Sequence, residues 1–250
     1  MKELTLILGL AAMVFSGCNE QVDPEAIEHK TMMVNINHTF DDEELIFLSE
    51  DYTLESGDIV NFKRLSYLLS KFYLVKADDT RVELVDQYAF LSPASDVRNF
   101  ELIDIPMGEY KAFGFSVGLD SAVDHGDPNQ YPTSHPLSPI RNSLHWDWTA
   151  GYIFTAIEGQ IAEKSENFVF HLAGNNNILD FEFPINITKE KASLEATLTY
   201  NVAEIFRTPE TYSLVADGMS THTVENPITT KLINNMHDIF SFNTITSSGQ

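Results

Sequence analysis

The sequence predicts an all-β domain: a mostly antiparallel β-sandwich with a long proline-rich loop and a short C-terminal helix. Short apolar segments alternate with turn residues along most of the chain. In "MGEYKAFGFSVGLD", Phe113, Phe115, Val117 and Leu119 fall on one face of a strand, opposite small residues. Because successive side chains of a strand point to opposite faces, this segment suits a position between two packed layers.

The other elements follow in chain order. From Thr31, "MMVNINHTF" alternates as a strand does. "DIVNFKRLSYLLSKFYLV" (58–75) is the longest apolar-rich run, and its first half is strand-like. Its second half also has helical spacing, so strand and helix both remain open there. Further short strands are predicted in "RVELVDQYAFL", "FELIDIP", "GYIFTAIEG", "NFVFHLAG", "LDFEFPINI" and "ASLEATLTYNVAEIF".

The C-terminal helix is predicted from "NPITTKLINNMHDIF". Asn226 is a favourable cap and Pro227 suits the first turn. The apolar residues Ile228, Leu232, Met236 and Ile239 fall near one stripe of this helix.

The N-terminus has the features of a lipoprotein signal. An apolar run, Leu4–Phe15, is too short to span a bilayer and ends in "FSGC". Cys18, the one cysteine of the chain, resembles the lipidated cysteine of bacterial lipoproteins, although a secreted protein with a stray cysteine is the alternative. We therefore expect a signal peptide (1–18), an acidic tether (19–30) and one domain (31–250). The expected location is the cell envelope, anchored by lipid to the outer membrane on its periplasmic or surface side.

Composition limits the classes of function. The formal net charge is −22, with 37 acidic and 15 basic residues, which argues against nucleic acid as a partner. With Cys18 lipidated, no thiol remains, so a metal would need histidine, methionine, carboxylate or backbone ligands. Since the zinc-protease H-E-x-x-H, the P-loop and the dinucleotide glycine signature are absent, we expect no enzyme.

A segment of about 25 residues, from Asp120 to Leu144, interrupts the strand pattern and holds four prolines. Loops of this length usually bind something or cover something, so a ligand-presenting loop and a proline-rich cover both remain open. It carries His125 and His135, and His145 follows it. In "FVFHLAG", His171 points away from the apolar face near a strand end. A strand imidazole and a loop imidazole together would form a small metal site.

The "HWDWTAGY" segment allows two interpretations. Trp146 and Trp148 lie on one side of a predicted strand. Paired indoles commonly anchor a core or a loop. Together with Tyr152 they could instead form a platform for sugars, which makes a carbohydrate-binding or adhesive surface module the alternative function.

Several segments together resemble the MbnP-like family of bacterial envelope proteins, relatives of copper-binding surface proteins of methanotrophs. They are "FSVGLDS", the loop with "DHGDP" and "HPLSP", "HWDWTAGYIFTAIEG" and "FVFHLAG", and the likeness covers roughly 31–203. The W-x-W match falls on Trp146 and Trp148. His171 matches the family's F-x-F-H histidine and His125 its loop histidine.

This resemblance implies a β-sandwich protein that binds copper, as Cu(I) or Cu(II), with zinc less expected. It implies two histidine ligands, a tryptophan oxidised to kynurenine and a dihaem peroxidase-like partner that performs the oxidation. The third ligand stays open among His135, His145 and Met219. The segment "ADGMSTHTVENP" could bring Met219 and His222 towards the site, although a polar loop before the helix cap is the preferred interpretation.

Overall fold

A computed structural model describes residues 29–147, 150–162, 164–188 and 193–247. The predicted signal peptide, Cys18 and Trp148 lie outside the described residues. The sandwich is confirmed: strands dominate, and they form a five-stranded and a ten-stranded sheet. The strands are β1 (His29–Phe40), β2 (Glu43–Glu44), β3 (Tyr52–Thr53), β4 (Ile59–Lys76), β5 (Arg81–Glu83), β6 (Ala89–Leu91), β7 (Asn99–Pro106), β8 (Tyr110–Val117), β9 (His145–Asp147), β10 (Gly151–Ile161), β11 (Glu166–Ala173), β12 (Leu179–Ile187), β13 (Ser193–Asn201), β14 (Ser220–Thr221) and β15 (Phe240–Ser247).

Helices are short and lie between strands. The predicted strand "ASLEATLTYNVAEIF" ends at Asn201, because the Asn201 side chain accepts a hydrogen bond from the Ala203 amide and starts a 3-10 turn. The α-helices are α1 (Ser121–Asp124), α2 (Pro139–Asn142), α3 (Leu214–Asp217) and α4 (Pro227–Asn235), and the 3-10 helices are Pro93–Ser95, Pro128–Gln130, Asn175–Asn177, Val202–Phe206 and Met236–Asp238.

The smaller sheet has the order β15-β13-β1-β2, and β7 also pairs with β1. The larger sheet has the order β12-β8-β4-β10-β11-β14, with β3, β5 and β6 on β4 and β9 on β10. Most neighbours are antiparallel, but β1 runs parallel to β13 and β11 runs parallel to β14. β1 begins at His29, two residues before the predicted start of the domain. Its alternation is as predicted, with Val34, Ile36 and His38 buried.

The ambiguous run is a single strand, the 18-residue β4. Leu65 and Leu69 face the main core between the sheets, whereas Leu68 belongs to a second apolar cluster on the outer face of the larger sheet. Both faces of β4 are therefore buried, and for this reason its sequence is apolar almost throughout instead of alternating. At Lys71, whose φ is 53°, the pairing with β8 shifts, and Phe72 returns to the main core.

The long loop forms the cover of that outer face. The second cluster joins loop residues to the sheet and contains Leu68, Phe90, Leu119, Leu137, Leu144, Tyr152, Ile153, Phe154 and Ala156. The prediction that Leu119 shares a face with Phe113, Phe115 and Val117 is wrong for Leu119. Gly118 has φ +114°, which breaks the strand alternation and turns the chain over the sheet.

The C-terminal helix is confirmed. The Asn226 side chain accepts a hydrogen bond from the Thr229 amide at 2.8 Å, and Pro227 occupies the first turn. Leu232, Met236 and Ile239 are buried in the main core. Within the described residues, no helix has the length and apolarity needed to cross a bilayer.

Candidate metal centre

Two histidines meet at the edge of the larger sheet. β14 runs parallel to β11 with Thr221 opposite Phe170. The residues that follow these two, His222 and His171, therefore lie side by side. The Nδ1 atoms of His171 and His222 lie 3.2 Å apart, and their rings are nearly perpendicular at 77°. A metal ion about 2.0 Å from each of two imidazole nitrogens, at a tetrahedral angle, separates them by about 3.3 Å. We call His171 and His222 the histidine pair.

A carboxylate fixes the orientation of His171. Strand alternation buries Phe170 in the main core and turns His171 outward, as predicted. On β10, Glu158 projects from the same outer face, and its Oε1 lies 3.0 Å from His171 Nε2. The Arg64 Nη1 donates to the same oxygen at 2.9 Å. This Arg64–Glu158–His171 chain resembles the outer-shell partners that orient metal-binding imidazoles.

The charges of Arg64 and Glu158 determine which nitrogen of His171 has a lone pair available to bind a metal. For Glu158, burial opposes ionisation, but the hydrogen bonds from His171 and Arg64 outweigh it and lower the pKa of the carboxyl. An ionised carboxylate only accepts hydrogen bonds, so the Nε2 of His171 carries a proton. Burial, partly offset by Glu158, lowers the pKa of His171, and the ring is neutral at pH 7. The Nδ1 lone pair therefore points towards His222.

Trp146 adjoins the histidine pair. Its ring centroid lies 6.0 Å from that of His171, and the indole packs partly buried against the second cluster. Tyr152, the third member of the sugar platform considered above, is fully buried, and its hydroxyl donates to the Leu137 carbonyl at 2.7 Å. It cannot present a face to a glycan.

The structure places His125 elsewhere. His125 caps the C-terminus of α1, and its Nε2 lies 3.5 Å from Asp124 Oδ2. The other Asp124 oxygen accepts from the Tyr152 amide at 2.7 Å, and burial raises the pKa of this carboxyl. Within the described part of the chain, neither a hydrogen bond nor a ring contact joins His125 to His171. The structure thus brings His171 to His222, and the role of His125 as a ligand stays a prediction.

The three weaker candidates all have packing roles. His135 stacks on Tyr131 with centroids 4.5 Å apart, and its Nδ1 accepts the backbone amide two residues on. The ring of His145 lies edge-on to Tyr152 at 4.7 Å. Met219 packs against the main core. Across the ranges that the structure describes, no three His, Cys, Asp or Glu side chains form a metal-binding group.

One segment has the letters of a catalytic motif. "GFSVG" (114–118) matches the G-x-S-x-G of serine hydrolases, in which the serine occupies a sharp turn between a strand and a helix. Here Ser116 lies within β8, is 2% exposed and donates to Asp180 Oδ1 at 2.5 Å. The buried strand position removes this serine as a nucleophile candidate.

Sequence reasoning found His171 but gave His222 a lesser place. The strand that positions His222 is two residues long, too short for alternation to be visible. The burial of Thr221 beside it becomes apparent only in the structure.

Comparison with known proteins agrees with this architecture. MbnP from Methylosinus trichosporium has a similar structure, with a TM-score of 0.59 and 15% sequence identity, covering 89% of this chain and all of that one. No curated protein matches the chain significantly. The MbnP family model matches residues 29–226, from the first strand to the cap of α4. Since that match takes in most of the sequence, the chain belongs to the MbnP family.

Proposed function

We propose that this protein binds a copper ion through the Nδ1 atoms of His171 and His222. The observation that carries the proposal is the 3.2 Å separation of these two nitrogens, a distance that one metal ion would bridge. Copper has the highest affinity among divalent first-row metals for nitrogen and oxygen donors. The copper biology implied by the resemblance to the MbnP-like family supports the same choice, with zinc as the competing ion.

The pair supplies two ligands, and further donors complete the site when the metal binds. His125, His135, His145 and Met219 remain candidates for a third ligand. The position of Trp146 beside His171 supports it as the tryptophan that the family resemblance implies to be oxidised to kynurenine. A dihaem peroxidase-like partner, which the same resemblance implies, would carry out that oxidation.

Copper is cargo in this proposal, and the protein is a carrier or scavenger rather than an enzyme. A site built from imidazoles without thiolate releases copper more readily than a cysteine site does. Lipidation at Cys18 would hold the carrier at the outer membrane of the cell envelope.

A competition titration with a chromogenic Cu(I) chelator tests the ligand set. We expect His171→Ala and His222→Ala each to weaken copper binding by at least 100-fold, because each removes one of two imidazoles. His237→Ala, which changes an exposed histidine of the C-terminal 3-10 helix, is the matched control and should bind as the parent does.

The same titration assigns the loop histidine. A loss in His125→Ala would identify it as the third ligand. The proposal is wrong if both variants of the histidine pair bind copper as tightly as the parent protein. Repeating the titration with zinc determines which of the two metals the site prefers.

A further inference from the structure

Arg64 also lines a cleft that contains two other basic residues. Its volume is about 610 Å³. Its walls are formed by β4, by the segment after β6 and by the end of α2. Among the described residues that line it, none is acidic, although the chain has 37 acidic and 15 basic residues. We call it the cationic cleft and define it by Lys63, Arg64, Ser66, Ser92, Arg141 and Ser143.

Two of its positive charges have no carboxylate partner among the residues that the structure describes. Lys63 Nζ donates to the side-chain oxygen of Asn167 at 2.9 Å, and Arg141 Nη1 donates to the Ser134 carbonyl at 2.7 Å. The other four arginines of the chain each form an ion pair with a carboxylate, whereas Arg141 has none among residues that the structure describes. In so acidic a protein, charges left unpaired beside a concave surface favour an anion from solution.

A buried hydroxyl points to the same conclusion independently. The Oγ atoms of Ser66 and Ser92 lie 3.1 Å apart, and both residues are buried. Arg64 Nε donates to the Ser66 Oγ at 3.3 Å. Two hydroxyl groups share one hydrogen bond, so one O–H hydrogen has no acceptor in the described part of the protein. Buried hydroxyl donors normally have a partner, and an oxygen atom in the cleft would supply it.

We propose that the cationic cleft binds a small organic anion through its carboxylate or phosphate oxygens. The volume lies in the range of small-molecule pockets. Guanidinium groups bind such oxygens with two parallel hydrogen bonds, and a lysine adds a point charge. Phe90 and Val97, which also line the cleft, provide an apolar wall for the carbon skeleton. Arg64 lines this cleft and also contacts Glu158 of the proposed copper site, but the ligand of the cleft needs no metal.

Isothermal titration of the metal-free full chain at low ionic strength tests this site. The probes are citrate for carboxylates, glucose 6-phosphate for phosphate esters and glucose as the neutral control. We expect saturable binding of at least one anion and none of glucose. The double variant Lys63→Gln with Arg141→Gln should weaken that binding at least ten-fold.

A second double variant separates the cleft from general charge. Lys76→Gln with Lys164→Gln removes the same charge from residues outside the cleft, and should change affinity less than two-fold. Equal losses in both double variants would overturn the proposal, as would the absence of saturable binding for both anions. His222→Ala should bind the anion as the parent does, so that this result is independent of the copper proposal.

Discussion

Replacing Glu158 with alanine tests how the histidine pair is held. The substitution removes the acceptor of the His171 Nε2 proton and also the partner of Arg64. Without that acceptor, the ring is free to rotate and to place its proton on either nitrogen. Part of the population then lacks a lone pair directed towards His222, and copper affinity falls although no ligand has been changed.

The structure gives the size of the loss. Hydrogen bonds that involve a charged group contribute about 1.5–3 kcal/mol. The side chains of His171 and Glu158 are 15% and 29% exposed, so solvent screening reduces that contribution to about 1.5–2 kcal/mol. At about 1.4 kcal/mol for each factor of ten, copper should bind about 10- to 30-fold more weakly. This agrees with the 10- to 100-fold effects typical of outer-shell partners.

The assay is the Cu(I) competition titration with three variants. Glu158→Gln retains an oxygen acceptor and should lose less than Glu158→Ala. Glu182→Ala removes a carboxylate that accepts from Tyr73 outside the site, and should bind copper as the parent does. If Glu158→Ala binds copper with unchanged affinity, the carboxylate does not orient His171 and the reasoning from this chain of contacts fails.

Three further predictions concern stability and spectroscopy. Burial, with the charge of Arg98, lowers the pKa of His38 to about 3, so the unfolded chain takes up its proton first and stability falls as pH decreases from about 6.5 towards 3. His38→Gln should remove about 1.4 kcal/mol per pH unit of that decline in urea unfolding near pH 5. Gly151→Ala should lower the melting temperature more than Gly57→Ala: both have positive φ, but a Cβ at Gly151 would lie 2.5 Å from a buried carboxylate oxygen, while Gly57 has open space. Cu(II) at the histidine pair should quench tryptophan fluorescence, and Trp146→Phe should reduce that response.

Two kinds of element can be predicted from the sequence: strands with one solvent-exposed face, and helices whose first turn is capped by nearby residues. β1 alternates because one of its faces meets the core and the other is more exposed. Asn226 and Pro227 mark the start of α4 by contacts within one helical turn. β4 gives no such signal, because the loop buries its outer face and a bulge at Lys71 changes its alternation. The information needed to assign it lies in the covering loop, which follows much later in the chain.

The residues of the candidate site also differ in whether the sequence could predict them. His171 could be found because the phenylalanines beside it define which face is apolar. His222 could not be paired with it from sequence, since their contact depends on parallel pairing of β11 with a two-residue strand. Glu158 and Arg64 were equally hidden, because the cross-strand register of β10 brings them to His171.

Several polar groups of the long loop satisfy its own backbone where it covers the sheet. Leu137 and Leu144 bury the outer face of the sheet, and a cover of this kind needs partners for its own polar backbone. His135 accepts a backbone amide within the loop, while the buried Asp124 carboxylate accepts the Tyr152 amide. These contacts give the loop a structural role without any metal. β9 follows this cover directly and places Trp146 beside His171, so that the indole forms a wall of the proposed copper site.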